Sequence, residues 1–370
     1  MTGIEETGGT GADPLDNGWQ YGKKITILAS EVADDLTNFP VLIRTTDPEW
    51  ADTSNGGYVA QSDGGDILFT AGDRTTKLDH EIEKYNPATG ELVAWVEVRS
   101  LSASEDTNIY IFYGNADAVD QWNPTGAGVW EPNFVGVWHL RETSGQHHDS
   151  TWNSNDSSEV TVTTQGSAMG QIGGADYLNG SVAGVKIDDN SSLDITQQIT
   201  IEAWVKADSC YRHRIVNKQD AFVLRADTLS GECSDHLNGY LNGATNVARS
   251  ECDIIQNPAS NYQHVVFKWD GRNGYDNTLR LYNDGTEVTY YGTPDTYQGT
   301  IDVTTTDLWI GSYGTGGVES WDGEIDEVRI SKVARSAAWI ETEHNNQKTS
   351  STFYVIDDGW VGSCWSPRCV

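Results

Sequence analysis

Short segments rich in Val, Ile, Tyr and Phe, cut at intervals by Gly, Asn, Asp and Pro, run through almost all of this sequence and restrict it to sheet architectures. In "ITIEAWVKA" (199–207), Ile199, Ile201, Ala203 and Val205 fall on one face of an extended strand. "KKITILA" (23–29), "FPVLIRT" (39–45), "DILFT" (66–70), "ELVAWVEVRSL" (91–101) and "NIYIFYG" (108–114) have the same character, and "YNPATGEL" (85–92) reads as a turn. "AFVLRA", "HVVFKWD" and "DLWIGS" continue the series, and "LRLYNDGTEV" (279–288) carries an Asn-Asp-Gly hairpin turn. Only after Ile330 does the period change. "RSAAWIETEHNNQ" predicts a short helix with Ser336 as its N-cap.

A chain of 370 residues is long for one domain. The spacing of signals predicts a Gly- and Thr-rich arm at 1–14, a β-rich domain at 15–125, an antiparallel sandwich or jelly roll at 126–346, and a tail at 347–370. The stretch "DQWNPTGAGVWEPNF" (120–134) reads as the connector. No apolar run approaches the length of a membrane helix, so no membrane span is expected. The opening "MTGIEETGGTGADP" lacks the basic and apolar regions of a signal peptide, which implies cleavage from a precursor or another route of delivery. Asp and Glu number 55 against 23 Lys and Arg, for a net charge of −32. Nucleic acid binding needs the opposite sign and is set aside. Spread over the whole length, this acidity confers solubility by self-repulsion. It also fits adaptation to high salt, where Lys is lost: only 10 of the basic residues are Lys.

Glu324 and Asp326 in "GEIDEVRISKVARSAAWI" (323–340) stand two residues apart and so share a strand face, one way to hold a general acid and a nucleophile. The parity of this strand breaks, however, because Ile325 falls opposite Val328 and Ile330. A bulge near Asp326 and Glu327 would restore it. Two Cys-x-x-His pairs, Cys210 with His213 and Cys233 with His236, have zinc-like spacing, with Cys252 as a further donor. A disulfide among Cys210, Cys233 and Cys252 is the competing reading, and Cys364 and Cys369 could close a small loop in the tail. Trp138, Trp204, Trp269 and Trp309 sit inside strand signals and are read as core. Trp152, Tyr211, Tyr275 and Tyr313 sit in loops, where an aromatic ring can stack on the apolar face of a sugar, and are the candidate ligand-binding residues. There is no Ser-His-Asp order, phosphate loop or nucleophile elbow.

The segments "VGVWHLRETSG" and "DSTWNSN" (135–155), "GADYLNG" (174–180), "ITIEAWVKA", "LYNDG", "LWIGS" and "GEIDEVRISKVARSAAWIETEHNNQ" resemble, in this order, the laminin-G-like, concanavalin A-like jelly-roll domain. "ILFTAGD", "HEIEKYNPATGELVAWVEV" and "IYIFYGNADA" are similar to an uncharacterised β-rich domain of unknown function. It commonly precedes such jelly rolls in bacterial and archaeal surface proteins. The two resemblances together cover about 15–355. They imply an all-β protein: an N-terminal β-sandwich-like domain, then an antiparallel jelly roll with a short C-terminal helix.

Glucanases that resemble this fold carry Glu-x-Asp-x-x-Glu, or a version one residue shorter. The run Glu324-Ile325-Asp326-Glu327-Val328-Arg329 lacks the final Glu at either spacing, so no catalysis is expected. Related sandwiches use the Asp of an "IDEV"-like strand as a structural calcium ligand. The resemblance therefore implies calcium at Asp326, with loop oxygens near Asp176 and Asn179 completing the shell. The alternative is that these carboxylates cap turns or face solvent. "QHHD" (146–149) coincides with a family loop and is read as scaffold, and the relatives need no zinc, which favours the disulfide. The expectation is a non-enzymatic protein, extracellular or on a virion surface, that binds a glycan or surface protein through jelly-roll loops beside other subunits of an assembly. A spike, tail fibre or capsid decoration of a virus of a halophilic archaeon fits it. The alternatives are a secreted or cell-surface carbohydrate-binding protein and an atypical glycoside hydrolase.

Overall fold

The computed structural model describes residues 12–122, 126, 128–209, 211–227, 235–243 and 246–359. They divide into two compact units: one takes the described residues up to Val129 and again from Lys348, and the other is Trp130–Gln347. Most of the expected arm, together with Cys210, Cys233, Cys364 and Cys369, lies outside the described residues. Cys252 is disulfide-bonded.

The first unit begins with β1 (Tyr21–Ile27), β2 (Leu36–Thr46), β3 (Leu68–Ala71), β4 (His80–Asn86), β5 (Glu91–Leu101) and β6 (Thr107–Tyr113). β2, β5 and β4 make one antiparallel sheet, and β1, β6 and β3 are successive neighbours in another. Asp66, just ahead of β3, joins distant parts of this unit. Its fully buried carboxylate accepts the N–H groups of Ala60, Gln61, Gly114 and Asn115 at 2.7–3.1 Å. Charge-assisted bonds of this kind recover much of the cost of burying the ion. Gly114 adopts φ +89°, a conformation that glycine takes without strain.

The second unit opens with β7 (Phe134–Trp138), β8 (Ser157–Thr161), β9 (Thr164–Met169), β10 (Gly174–Asn179) and β11 (Gly184–Ile187). It continues with β12 (Gln198–Ala207), β13 (His213–Lys218), β14 (Phe222–Asp227), β15 (His236–Leu241) and β16 (Asn246–Arg249). Then come β17 (Gln263–Asp270), β18 (Arg280–Asn283), β19 (Thr286–Glu287), β20 (Leu308–Ile310) and β21 (Asp322–Ser331), closed by helix α1 (Ala337–Lys348). Among the described residues these strands form an eight-stranded sheet, β19-β18-β17-β12-β21-β10-β9 with β7 on β21, and a seven-stranded sheet, β16-β15-β14-β13-β20-β11-β8.

This is the antiparallel jelly-roll sandwich that the alternating strands imply. Ile199, Ile201, Ala203 and Val205 of β12 share one core with Val216, Leu224, Leu237 and Ile310 of the other sheet. Gly239 permits the close approach, since a Cβ there would sit 2.2 Å from the Phe267 ring. The Asn-Asp-Gly hairpin has Asp284 at φ +49° and Gly285 at φ +77°, the two positive values of a type I′ turn. Ser336 caps α1 by accepting the Trp339 N–H at 3.0 Å. The parity break in β21 is a bulge: its register against β12 shifts between Glu202 and Trp204, and Glu327 adopts φ +52°. Ile325, Val328 and Ile330 consequently all face the core.

Part of the segment expected as a tail at 347–370 is sheet. After α2 (Ser350–Phe353), β22 (Tyr354–Ile356) pairs antiparallel with β1 in the first unit. The Tyr354 hydroxyl accepts the Arg44 N–H at 2.8 Å and donates to the Arg44 carbonyl at 3.1 Å.

"QHHD" is scaffold, as read. His147 is fully buried, with Nδ1 2.8 Å from Glu142 and Nε2 2.9 Å from Asp176. Burial alone would lower the His147 pKa, but the hydrogen bonds to Asp176 and Glu142 outweigh it and hold it up at about 9. Burial would likewise raise Glu142, yet His147 brings it down to about 2. His147 thus contributes stability that is complete below its ordinary value of 6.5 and lost as pH rises through 9.

Two outcomes follow. Asp66→Ala orphans the buried N–H groups it served and should lower the stability of the first unit by about 3 kcal/mol or more in denaturant unfolding. A change below about 1 kcal/mol would refute its role as an anchor. Between pH 6.5 and 9 the wild type should lose stability on the order of 3 kcal/mol through His147, and His147→Gln should flatten that slope. An unchanged slope in the variant would contradict the buried pair.

Candidate functional site

The outward face of the seven-stranded sheet carries two rows of polar and aromatic side chains. Direct cross-strand neighbours place Lys186, Trp309, Asn217, Val223, Tyr240 and Val247 in one row. Leu308, Ile310, Val216, Leu224 and Leu241, adjacent to them in sequence, belong to the core, so this row points away from it. A second outward row is Arg214, Arg225, Asn238 and Arg249. Arg214 joins this face because β13 is bulged between Arg214 and Val216.

These rows border a cavity of about 190 Å³ lined by Arg214, Asn217, Phe222, Arg225, Tyr240 and Tyr313, among others. Arg214 is held by Glu319 at 2.6 Å and lies over the Tyr313 ring at 5.2 Å. Arg225 donates to Asp227 at 2.5 Å and to the Tyr240 hydroxyl at 2.8 Å, with its guanidinium 4.6 Å above the Tyr240 ring. Both cations are therefore fixed by acid and aromatic partners, which preorganises them without leaving a net positive pocket. Asn217, fully buried, gives its amide N–H to the Tyr313 carbonyl at 3.0 Å, and its Oδ1 has no partner among the described residues. Arg225 Nε is likewise without a partner among them, as is Nδ2 of Asn238, which lies in the second row but does not line the cavity. A donor and acceptor set on a buried floor between two Tyr rings suits a polyhydroxylated ring, which presents hydroxyls at its edge and C–H groups on its face.

Of the four aromatic residues singled out in the sequence, Tyr313 lines this cavity. Trp152, Tyr211 and Tyr275 are exposed elsewhere; Tyr275 is covered on one side by the Arg272 guanidinium at 3.8 Å. Arg214, Asn217, Arg225 and Tyr240 were missed, because alternation marks outward positions without saying which of them meet a ligand.

The three residues expected to share calcium are not brought together. Asp176 is paired with Ile325 across β10 and β21 and so faces inward, where His147 occupies it. Asp326 pairs with Trp204 and faces outward, and its buried Oδ2 accepts the Ile172 N–H at 2.8 Å. Asn179 Oδ1 accepts from the Ser181 backbone and hydroxyl at 3.2 and 2.7 Å. Glu324 shares the outward face with Asp326 but is tied to Lys206 at 2.9 Å. Of the Cys-x-x-His histidines, His213 meets the Ser209 carbonyl at 3.1 Å and His236 the Ser250 carbonyl at 2.6 Å.

The outward face of the eight-stranded sheet lies under α1. Arg329 bridges Glu327 at 2.6 Å and Glu343 of the helix at 2.5 Å, all fully buried. Trp204 is buried there too, beneath the helix rather than in the sandwich core, donating to Gln347 at 2.5 Å. Among the described residues no helix is long and apolar enough to cross a membrane.

Residues 178–341 match the family model of the Concanavalin A-like lectin/glucanases superfamily, and residues 63–155 that of a Domain of unknown function (DUF2341). Comparison with curated proteins finds no match. Among solved structures the chain is similar to Domain 4 of AbnA, a GH43 extracellular arabinanase from Geobacillus stearothermophilus, in complex with arabinotriose. The identity is 19% and the TM-score 0.41, over 58% of this chain and 98% of that one. It is also similar to the binding domain of Paraclostridial Mosquitocidal Protein 1, at 13% identity and a TM-score of 0.40. That likeness covers 57% of this chain and only 52% of that one. After a domain of the DUF2341 kind, the chain carries a laminin-G-like domain of the Concanavalin A-like lectin/glucanases superfamily.

Proposed function

We propose that the second unit binds a glycan on the outward face of its seven-stranded sheet and does not cleave it. The observation that carries this reading is the unpartnered Asn217 Oδ1 at the floor of a cavity flanked by Tyr240, Tyr313, Arg214 and Arg225. At about 190 Å³ the cavity is smaller than the ~300–1,000 Å³ of drug-sized pockets, and it suits one ring of a chain that continues along the sheet. The absence of cleavage is supported by the fate of the two carboxylates: Lys206 neutralises Glu324, and Asp326 is buried as a loop anchor. We extend the reading to a protein displayed outside the cell, on a cell or virion surface, beside other subunits of an assembly. The net charge of −32 supports a surface that stays soluble in salt.

The test is calorimetric titration with a panel of neutral and acidic oligosaccharides. Wild type should bind at least one, Asn217→Ala and Tyr313→Ala should each lose about tenfold or more in affinity, and Glu324→Gln should bind as wild type. None should release reducing sugar. Failure of wild type to bind any glycan, or release of reducing sugar that depends on Glu324, would overturn the proposal.

A further inference from the structure

Glu202 of β12, His264 of β17 and Glu343 of α1 converge between the sheet and the helix, each with about 1% of its surface exposed. One donor atom from each lies within 4.8 Å of the other two. Glu202 Oε2, Glu343 Oε2 and both ring nitrogens of His264 are served by no other group among the described residues, while the Glu343 and Glu202 carboxyls lie close enough to share a proton. The His264 Nε2 to Glu202 Oε2 distance, 3.7 Å, is too long for a hydrogen bond. It is close to the separation, about 3.3–3.7 Å, of two donors that each bind one first-row ion at about 2.1 Å.

The surrounding charge points the same way. Glu202, Glu327 and Glu343 are buried close to one guanidinium, Arg329, which pairs with Glu327 and Glu343, and Glu327 also meets His139 at 2.7 Å. Buried negative charge in this excess is costly unless a proton or a cation offsets it. A proton held between Glu202 and Glu343 would satisfy those two and leave the His264 ring unserved. A divalent cation takes one donor atom from each of the three.

The donors are also held as ligands are. Arg329 takes Glu343 Oε1 and leaves Oε2 directed at the cluster. Trp204 packs tilted against the His264 ring at 5.1 Å and stacks on that of His344 at 5.6 Å. One imidazole with two carboxylates matches the nitrogen and oxygen preference of zinc and its neighbours better than the all-oxygen shells of calcium or magnesium.

We propose that Glu202, His264 and Glu343 bind one divalent transition-metal ion of the zinc type, which pins helix α1 to the eight-stranded sheet. The three donors lie far apart in sequence, so the ion would bind the folded unit and not the unfolded chain.

The full-length protein, stripped with chelator and titrated with zinc, tests this by elemental analysis and melting. The expected result is one ion per chain and a melting temperature that climbs with zinc, by about 5–10 °C at a hundredfold excess over Kd. His264→Gln and Glu343→Gln should each abolish both effects. X-ray absorption of the zinc-loaded wild type should show nitrogen and oxygen neighbours only. It settles the question even where a variant fails to fold, because sulfur scattering would place the ion on cysteine and overturn the proposal. So would a wild type indifferent to zinc, a response to calcium alone, or a His264→Gln protein that keeps its ion. A Glu343→Gln variant that melts at or above wild type, with wild type retaining no ion, would assign the cluster to a shared proton instead.

Discussion

Strand β21 lies between β12 and β10 in the eight-stranded sheet, and both of its faces are committed. Glu327 at φ +52° inserts one extra residue, and that bulge lets Ile325, Val328 and Ile330 all enter the core. On the other face, Asp326 anchors the turn at 170–172 through the Ile172 N–H, and Arg329 reaches Glu343 of α1. Gly170 fits over Asp326 only because it has no side chain: a Cβ there would meet Oδ2 at 2.7 Å. Core registry, loop closure and helix docking all follow from one backbone irregularity. The acidic run "EIDE", which reads at first like an active site, is tied up in that work.

What was legible in the sequence was what depends on near neighbours. The alternation at Ile199–Val205, the Asp284-Gly285 turn, the Ser336 cap and the parity break at Glu327 are all local consequences of chain geometry. What was not legible depends on distant partners. Asp66 opens the strand segment "DILFT" unremarked, and only the end of β6 brings Gly114 and Asn115, 48 and 49 positions away, onto its carboxylate. Tyr354–Ile356 has strand character, yet nothing local says that its partner is β1. Trp138 and Trp269 enter the core as read, whereas Trp204, opposite in parity to Ile201 and Ala203, lies buried under the helix, and Trp309 lies in the outward row beside Asn217. The face we propose for the ligand was hidden for a related reason. The bulge at Ile215 re-aims Arg214, and an outward Asn or Tyr looks the same in sequence whether it meets water or a sugar.

The sandwich uses its two outer faces in opposite ways. One is sealed by α1, whose buried residues include Thr342, Glu343, His344, Asn346 and Gln347 as well as Trp339 and Ile340. A helix docked through so many polar groups depends on specific pairing rather than on apolar area, since each unpaired group is expensive in the interior. Over the other face no helix lies among the described residues, and it keeps a polar cavity lined by two tyrosines. The Asn217 acceptor and the Arg225 donor, buried but unpaired among the described residues, are what lead us to propose a hydroxyl-rich ligand there.

The central claim is that a glycan seats on the seven-stranded sheet, and locating a bound oligosaccharide tests it most directly. Backbone and side-chain amide chemical shifts of the second unit, recorded during titration with an oligosaccharide it binds, should change at Asn217, Arg214, Arg225 and Tyr313 while α1 and the Asp326 loop stay still. Shifts confined to the loops of Trp152 or Tyr275, with Asn217 unmoved, would contradict the account.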